Sequence, residues 1–144
     1  MKESVGLVII AKDTNNFLLL HRSSRPIVWS VLSGGMEEGE NELETIKREM
    51  VEEININSDF IDGIQKLGSE QFNNNLFHIY IGYSDTEFQI PNLKLDENDD
   101  YGWFSENNLP SPIHKKWPKT FQMMKPLLSL RRLMKSKLNN LTNE

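Results

Sequence analysis

Residues 29–56 read WSVLSGGMEEGENELETIKREMVEEINI, and this stretch decides how the chain folds. Its second half predicts a helix that packs into a core on one side, because apolar residues recur at spacings of three and four. The residues of this core-facing side are Leu43, Ile46, Met50 and Ile54. Asn41 is placed to act as the N-cap of the helix, with Glu44 as its partner in a capping box.

The other side of this helix is acidic. Glu49, Glu52 and Glu53 stand at positions i, i+3 and i+4, so their Cβ atoms are expected within about 6 Å of one another. Because like charges at this spacing repel, a divalent cation among them explains the cluster best. Oxygen ligands suit Mg²⁺ or Mn²⁺ and disfavour zinc. Since Mg²⁺ often completes its shell with substrate phosphates, a pyrophosphate group is the expected substrate feature.

A glycine loop precedes the helix, and Gly34, Gly35 and Gly39 allow its backbone to bend sharply and approach a ligand closely. Loop and helix together resemble the signature of the Nudix hydrolases, G-x5-E-x7-R-E-U-x-E-E-x-G-U, in which U is a bulky apolar residue. The positions that match this signature are Gly34, Glu40, Arg48, Glu49, Met50, Glu52, Glu53 and Ile56.

The chain departs from the Nudix pattern at two places. Asn55 stands where the family has its second glycine, and Asn tolerates the left-handed conformation that a helix C-terminus commonly demands. Upstream, the family often has Pro-Gly-Gly-Gly where this chain has Leu32-Ser33-Gly34-Gly35. The second departure leaves the shape of the loop entry open.

The resemblance implies an α/β fold, an α/β/α sandwich with a central mixed β-sheet. It also implies Mg²⁺-dependent cleavage, with Mn²⁺ as an alternative, of a nucleoside diphosphate linked to another moiety. In this interpretation Glu49, Glu52 and Glu53 are metal ligands, and Gly35 adds its backbone carbonyl. Glu40 supports the loop or binds the metal peripherally.

The family often has a Glu shortly before a Trp on a late strand, where it serves as a metal ligand or as the general base. Glu97, six residues before Trp103, matches this spacing, and a solvated run of charges is the alternative explanation. Its competitors are Asp96, Asp99 and Asp100. The general base is therefore Glu52, Glu53 or Glu97, while Arg48 is expected to hold a carboxylate in position.

Length and composition favour one domain over residues 1–144, because 144 residues with 38% apolar content form one core of ordinary size. The chain has no cysteine, which excludes disulfides, and no apolar run of about 18 residues that would span a membrane. We expect a cytoplasmic protein without a membrane partner. The net charge of −5 argues mildly against general nucleic-acid affinity.

Strands are predicted from β-branched and aromatic runs at 4–11, 17–20, 60–68, 76–83 and 101–104. The first two runs are apolar throughout, which indicates a sheet covered on both faces. Residues 71–75 are expected to form a hairpin turn. His78 lies among apolar neighbours and is interpreted as a packed histidine rather than a ligand.

Substrate-binding candidates lie outside the signature. Arg22 and Arg25 either contact substrate phosphates or are surface cations, and Phe72 either stacks on a base or belongs to the core. The signatures of subfamilies acting on ADP-ribose, dinucleoside polyphosphates or coenzyme A are absent. The substrate stays open among a nucleoside triphosphate, a nucleotide sugar, a dinucleoside polyphosphate and capped RNA. The alternative function is a nucleotide-sensing or RNA-binding module without turnover.

Residues 118–144 form a basic helical segment, since the stretch 115–138 contains eight Lys or Arg and no acid. Pro118 and Pro126 predict two helices or one helix with a break. The segment is expected to pack on the sheet with a solvated basic face. The alternatives are a dimer contact or a surface for polyphosphate or RNA, so a monomer and a homodimer both stay open.

Overall fold

The computed structural model describes residues 1–142 and contains a seven-stranded sheet with two long helices. Its strands are β1 (Lys2–Ala11), β2 (Phe17–Arg22), β3 (Trp29–Ser30), β4 (Leu32–Gly35), β5 (Asp62–Phe72), β6 (Asn75–Ser84) and β7 (Asn98–Phe104). The long helices are α1 (Glu42–Ile54) and α2 (Trp117–Thr142), and a short 3-10 helix covers Ser58–Phe60.

The sheet is mixed and β1 is its central strand. β1 runs parallel to β6 over its whole length, while its pairings with β2 and β4 are antiparallel. Because β6 occupies one edge of β1, β2 and β4 share the other edge. β5 extends the sheet beyond β6, and β7 extends it beyond β2. The register of β4 on β1 places Gly34 opposite Val5, beside the start of α1.

Each face of the sheet is covered by one helix. Along β1, Val5, Leu7 and Ile9 pack toward α1, whereas Val8 and Ile10 pack toward α2. This alternation follows from the two-residue side-chain period of a strand, and it leaves β1 buried from Val5 to Ala11. The prediction of an α/β/α sandwich with a mixed sheet is confirmed.

Helix α1 begins and ends as its sequence predicts. Both hydrogen bonds of the capping box form between Asn41 and Glu44, and Asn55 takes the left-handed conformation at φ 55°. Ile46, Met50 and Ile54 are fully buried. Leu43 was expected in the same core but is 44% exposed, because it lies in the first turn, beyond the edge of the buried cluster.

Helix α2 corrects the expectation of two helices or a break. It is continuous from Trp117 to Thr142, with Pro118 in its first turn and Pro126 inside it. Met124 and Leu128, on either side of Pro126, are buried against the sheet, while Pro126 is exposed. Anchoring by this packing outweighs the hydrogen bond that proline removes. Of the predicted segment 118–144, the last two residues lie outside the described residues.

The remaining strand predictions hold with shifted ends. The predicted turn at 71–75 is shorter in the structure, since β5 continues to residue 72 and β6 starts at residue 75. His78 is buried and hydrogen-bonds to Ser69 Oγ and Glu3 Oε1, which agrees with a packed histidine. Within residues 1–142, no helix is long and apolar enough to cross a membrane.

Candidate active site

Three carboxylates converge beside the glycine loop. Glu49 and Glu53 lie one turn apart on α1 and are each only 6% exposed, and Glu97 joins them from the residue before β7. One oxygen from each lies within 4.8 Å of the others. Glu52, predicted as a third helical ligand, lies outside this group of three, and its side chain is 42% exposed.

The glycine loop is shaped around Glu49. A Cβ atom on Gly34 would lie 2.1 Å from Cδ of Glu49, so no side chain fits there. The neighbouring Gly35 has open space at the same position, with nothing within 4 Å. Glycine is therefore required at position 34, where a carboxylate approaches the backbone closely, but not for this reason at position 35.

Arg48 ties the loop to the acidic helix. Its guanidinium donates two hydrogen bonds to Glu40, at 2.7 and 2.9 Å, and one each to Glu49 at 2.8 Å and Glu52 at 3.2 Å. Its Nη2 atom also donates to the carbonyl of Gly35 at 2.9 Å. These bonds lower the pKa of Glu40 to about 2 and raise the pKa of Arg48 above its usual value. The Gly35 carbonyl predicted as a metal ligand thus already accepts a hydrogen bond.

Burial and mutual repulsion make the carboxylate cluster electrostatically costly. Burial, followed by the charges of Glu49 and Glu97, raises the pKa of Glu53 to about 8. Burial also raises the pKa of Glu49, although Arg48 opposes this shift. Asn98 donates to Oε1 of Glu53 at 3.3 Å. When the carboxyl groups are ionised, no donor within residues 1–142 reaches the buried Oε2 of Glu53.

These features fit a hard divalent cation. The ligand atoms are all oxygens, two of the three side chains are buried, and a buried carboxylate oxygen lacks a donor. A cation would offset the repulsion that raises the pKa of Glu53. Glu49, Glu53 and Glu97 are therefore the residues that would hold Mg²⁺ or Mn²⁺.

Glu97 is the one of four acidic candidates that joins the helical pair. Asp99 contacts Nδ1 of His21 at 2.5 Å, Asp100 accepts from the backbone of Tyr101, and Asp96 is exposed. Glu97 ends the acidic loop of residues 85–97, and two hydrogen bonds attach the first part of this loop to β7. Tyr101 accepts from the backbone of residue 90, and the Trp103 indole donates to the carbonyl of residue 88.

A cavity of about 280 Å³ opens on the α2 side of the sheet and reaches the same glycine loop. Its basic lining residues are Arg22, His114 and Lys116, and Gly34 and Gly35 of the glycine loop also line it. Hydroxyl groups and aromatic rings complete the walls, contributed by Ser4, Ser30, Ser33, Thr120, Phe77 and Trp117. The cavity thus combines positive charge with hydrogen-bonding groups, and it shares Gly34 with the surroundings of Glu49.

The cations of this cavity are partly desolvated. Burial lowers the pKa of Lys116, whose Nζ lies 4.5 Å from the Phe77 ring centroid. Burial, then the charges of Lys116 and Arg22, lowers the pKa of His114. Nδ1 of His114 accepts from the backbone of Lys116, which leaves Nε2 as the donor of the neutral ring. An anion in the cavity would be attracted by these partly buried positive charges.

The three predicted substrate contacts separate in the structure. Arg22 lines the cavity and donates to the carbonyl of Pro26, whereas Arg25 is exposed and does not line it. Phe72 lies at the end of β5 with Lys116 over its ring at 5.3 Å, so it contacts a lining residue without lining the cavity. Sequence reasoning missed His114 and Lys116. Their only signal was the start of the basic segment.

The fold and the site together define the class of this protein: its α/β/α sandwich carries a carboxylate cluster at a glycine loop, and the cluster is suited to a divalent cation. Residues 1–126 match the NUDIX domain family. The chain belongs to the Nudix family, and this confirms the resemblance found in the sequence.

Similar proteins agree with this assignment. The chain is 40% identical over 53 residues to dihydroneopterin triphosphate diphosphatase of Escherichia coli K12, and 39% identical over 54 residues to that of Haemophilus influenzae. These matches cover 37% and 38% of the chain. They span only about a third of each relative, 35% and 34%.

Solved structures show the same fold. The Escherichia coli dihydroneopterin triphosphate pyrophosphohydrolase superposes with a TM-score of 0.63 at 23% identity, over 85% of this chain and 92% of that one. A MutT NUDIX hydrolase from Burkholderia pseudomallei gives 0.69 at 19% identity, over 85% and 96%.

Proposed function

We propose that this chain hydrolyses the pyrophosphate linkage of a nucleotide-type substrate with the help of Mg²⁺ or Mn²⁺. One observation carries the proposal: the oxygens of Glu49, Glu53 and Glu97 lie within 4.8 Å of one another beside the glycine loop. A merely solvated acidic face would not bury two of its carboxylates. Family membership adds the reaction class.

In this proposal each residue of the site has a distinct task. Glu49, Glu53 and Glu97 would hold the cation, which when bound would compensate the charge of the substrate and activate the attacking water. Arg48 fixes the Glu49 carboxylate and the loop carbonyl at Gly35 relative to each other.

The proton of the attacking water is taken by a carboxylate, for which Glu52, Glu53 and Glu97 are the candidates. Glu97 has the best support among them. Its side chain is 39% exposed, so water reaches it directly, whereas Glu53 is buried. Glu52 is open to solvent but lies outside the cluster of three.

We infer that the nucleotide enters through the cationic cavity. Gly34 lines the cavity and also lies against Glu49, so a phosphate chain that follows the loop at this residue would approach the carboxylates. Arg22 and Lys116 supply the positive charge that phosphates require. The relatives named for dihydroneopterin triphosphate support a triphosphate on a fused-ring base as the first compound to test.

RNA binding through α2 has weaker support. Three of its cations already contact the protein itself: Arg131 bonds to Asn15, Arg132 to Glu106, and Lys135 to the carbonyl of Asp13. Capped RNA therefore stays in the substrate panel as a compound that would enter the cavity, rather than as a ligand of the helix.

The test is a panel of phosphoanhydrides assayed with Mg²⁺ and with Mn²⁺, with the products identified by phosphorus NMR. It includes nucleoside triphosphates, dihydroneopterin triphosphate, a nucleotide sugar, a dinucleoside polyphosphate and capped RNA. We expect cation-dependent hydrolysis of at least one compound, and loss of most turnover in Glu53→Gln. Binding of a nucleotide without any turnover would favour the alternative, a sensing module.

A further inference from the structure

The last three turns of α2 carry an exposed apolar surface, which we call the α2 stripe. It consists of Leu130, Leu133, Met134, Leu138 and Leu141. Each of these residues is between 51% and 69% exposed. On a helical wheel they fall within an arc of about 140°, which also contains Lys137, so they form one largely apolar surface rather than scattered side chains.

One side of the same turns, which begins at the edge of the stripe beside Leu138, is attached to the domain. Arg131 lies over the ring of Tyr83 at 4.7 Å and donates to Asn15, and Lys135 donates to the carbonyl of Asp13. These contacts fix the rotation of the helix about its axis. The α2 stripe consequently faces away from the sheet and cannot bury itself by turning inward.

We propose that the α2 stripe is the interface at which a second copy of this chain binds. Covering it would remove about 100 Å² of surface per side chain, and therefore about 1,000 Å² over the two copies, which is the size at which specific interfaces begin. The spacing of the stripe, with apolar residues three and four apart, is the pattern by which helices pack against each other.

Charge favours a second copy over a polyanion. A membrane surface or RNA would be bound by cations along the edges of the stripe. Arg131, Arg132 and Lys135, however, all contact the domain, which leaves Lys137 as the remaining cation of these turns, and on the helical wheel it lies inside the arc of the stripe. The long stem of Lys137 can lie along an apolar interface while its ammonium stays in water.

Sedimentation velocity of the full chain over a wide concentration range tests the proposal. We expect a reversible dimer for the wild type and, for Met134→Glu, association weakened by more than about tenfold, because a charge would be buried in each half of the interface. The matched control is Ser136→Glu, which adds the same charge to the same turn away from the stripe. It should dimerise within about twofold of the wild type.

The absence of cysteine in the chain allows a second measurement that does not depend on stability. Met134→Cys or Leu138→Cys should form a disulfide-linked dimer on mild oxidation, because paired helices cross near the middle of the stripe, whereas Ser136→Cys should not. The proposal is overturned by a wild type that stays monomeric, by a dimer that Met134→Glu leaves intact, or by a monomer that binds vesicles of phosphatidylglycerol or RNA through the stripe.

Discussion

Gly34→Ala is expected to disable the site by moving one carboxylate. The new Cβ would lie 2.1 Å from Cδ of Glu49, whereas ordinary carbon contacts begin at 3.4 Å. The carboxylate must therefore move by about 1.3 Å or more, because the backbone at residue 34 is paired with β1 and cannot retreat freely. A misplacement of about 1 Å at a reacting centre costs on the order of 100-fold in rate.

The measurement uses kcat/KM on the substrate found in the panel and, independently of any substrate, the affinity for Mn²⁺ by calorimetry. We expect kcat/KM to fall by about 100-fold, or about 2.7 kcal/mol, and Mn²⁺ binding to weaken with it. The control is Gly35→Ala, which adds the same methyl group where nothing lies within 4 Å. This variant should bind Mn²⁺ within about threefold of the wild type.

Two results would refute the reasoning about Gly34. One is a folded Gly34→Ala protein with wild-type kcat/KM and Mn²⁺ affinity, which would mean that the position of Glu49 does not matter. The other is an equal loss in both glycine variants, which would point to loop flexibility as the cause. Circular dichroism spectra and thermal melts of both variants establish that they are folded.

The other predictions concern charged residues of the carboxylate cluster and of the cationic cavity. Burial raises the pKa of Glu53 from 4.5 to about 8. The stability that the metal-free protein has with this side chain protonated is therefore complete below pH 4.5 and is lost as the pH rises through 8. At about 1.4 kcal/mol per pKa unit this is worth a few kcal/mol, and urea unfolding of Glu53→Gln should show a flatter pH dependence. Arg48→Lys cannot maintain the paired bonds to Glu40 and should lower the free energy of unfolding by about 2 kcal/mol; an unchanged urea midpoint would contradict this. Arg22→Ala should raise KM about tenfold with little change in kcat, while Arg25→Ala, outside the cavity, should change neither. Equal effects of the two substitutions would show that the substrate does not bind in the cavity.

Local rules in the sequence predicted the elements that local interactions determine. The capping box of Asn41 and the left-handed Asn55 depend on residues within one turn, and both form as expected. The two covered faces of β1 follow from its uninterrupted apolar run. Leu43 fits the same periodic pattern but is exposed, because periodicity does not say where a buried cluster ends.

The parts that depend on tertiary placement were less predictable. Helical spacing placed Glu49, Glu52 and Glu53 together, but the bonds of Arg48 and the arrival of Glu97 decide which carboxylates converge. The cationic cavity joins residues more than 80 positions apart, and no spacing rule could have assembled it. The continuity of α2 through Pro126 likewise depends on packing against the sheet.

We propose above that Glu49, Glu53 and Glu97 hold a divalent cation. Anomalous diffraction from a crystal grown with Mn²⁺ tests it most directly, because manganese scatters anomalously where protein oxygens do not. We expect a manganese peak coordinated by oxygens of these three carboxylates, and no peak there in Glu53→Gln at the same Mn²⁺ concentration. A peak elsewhere, with the three carboxylates empty, would contradict the account.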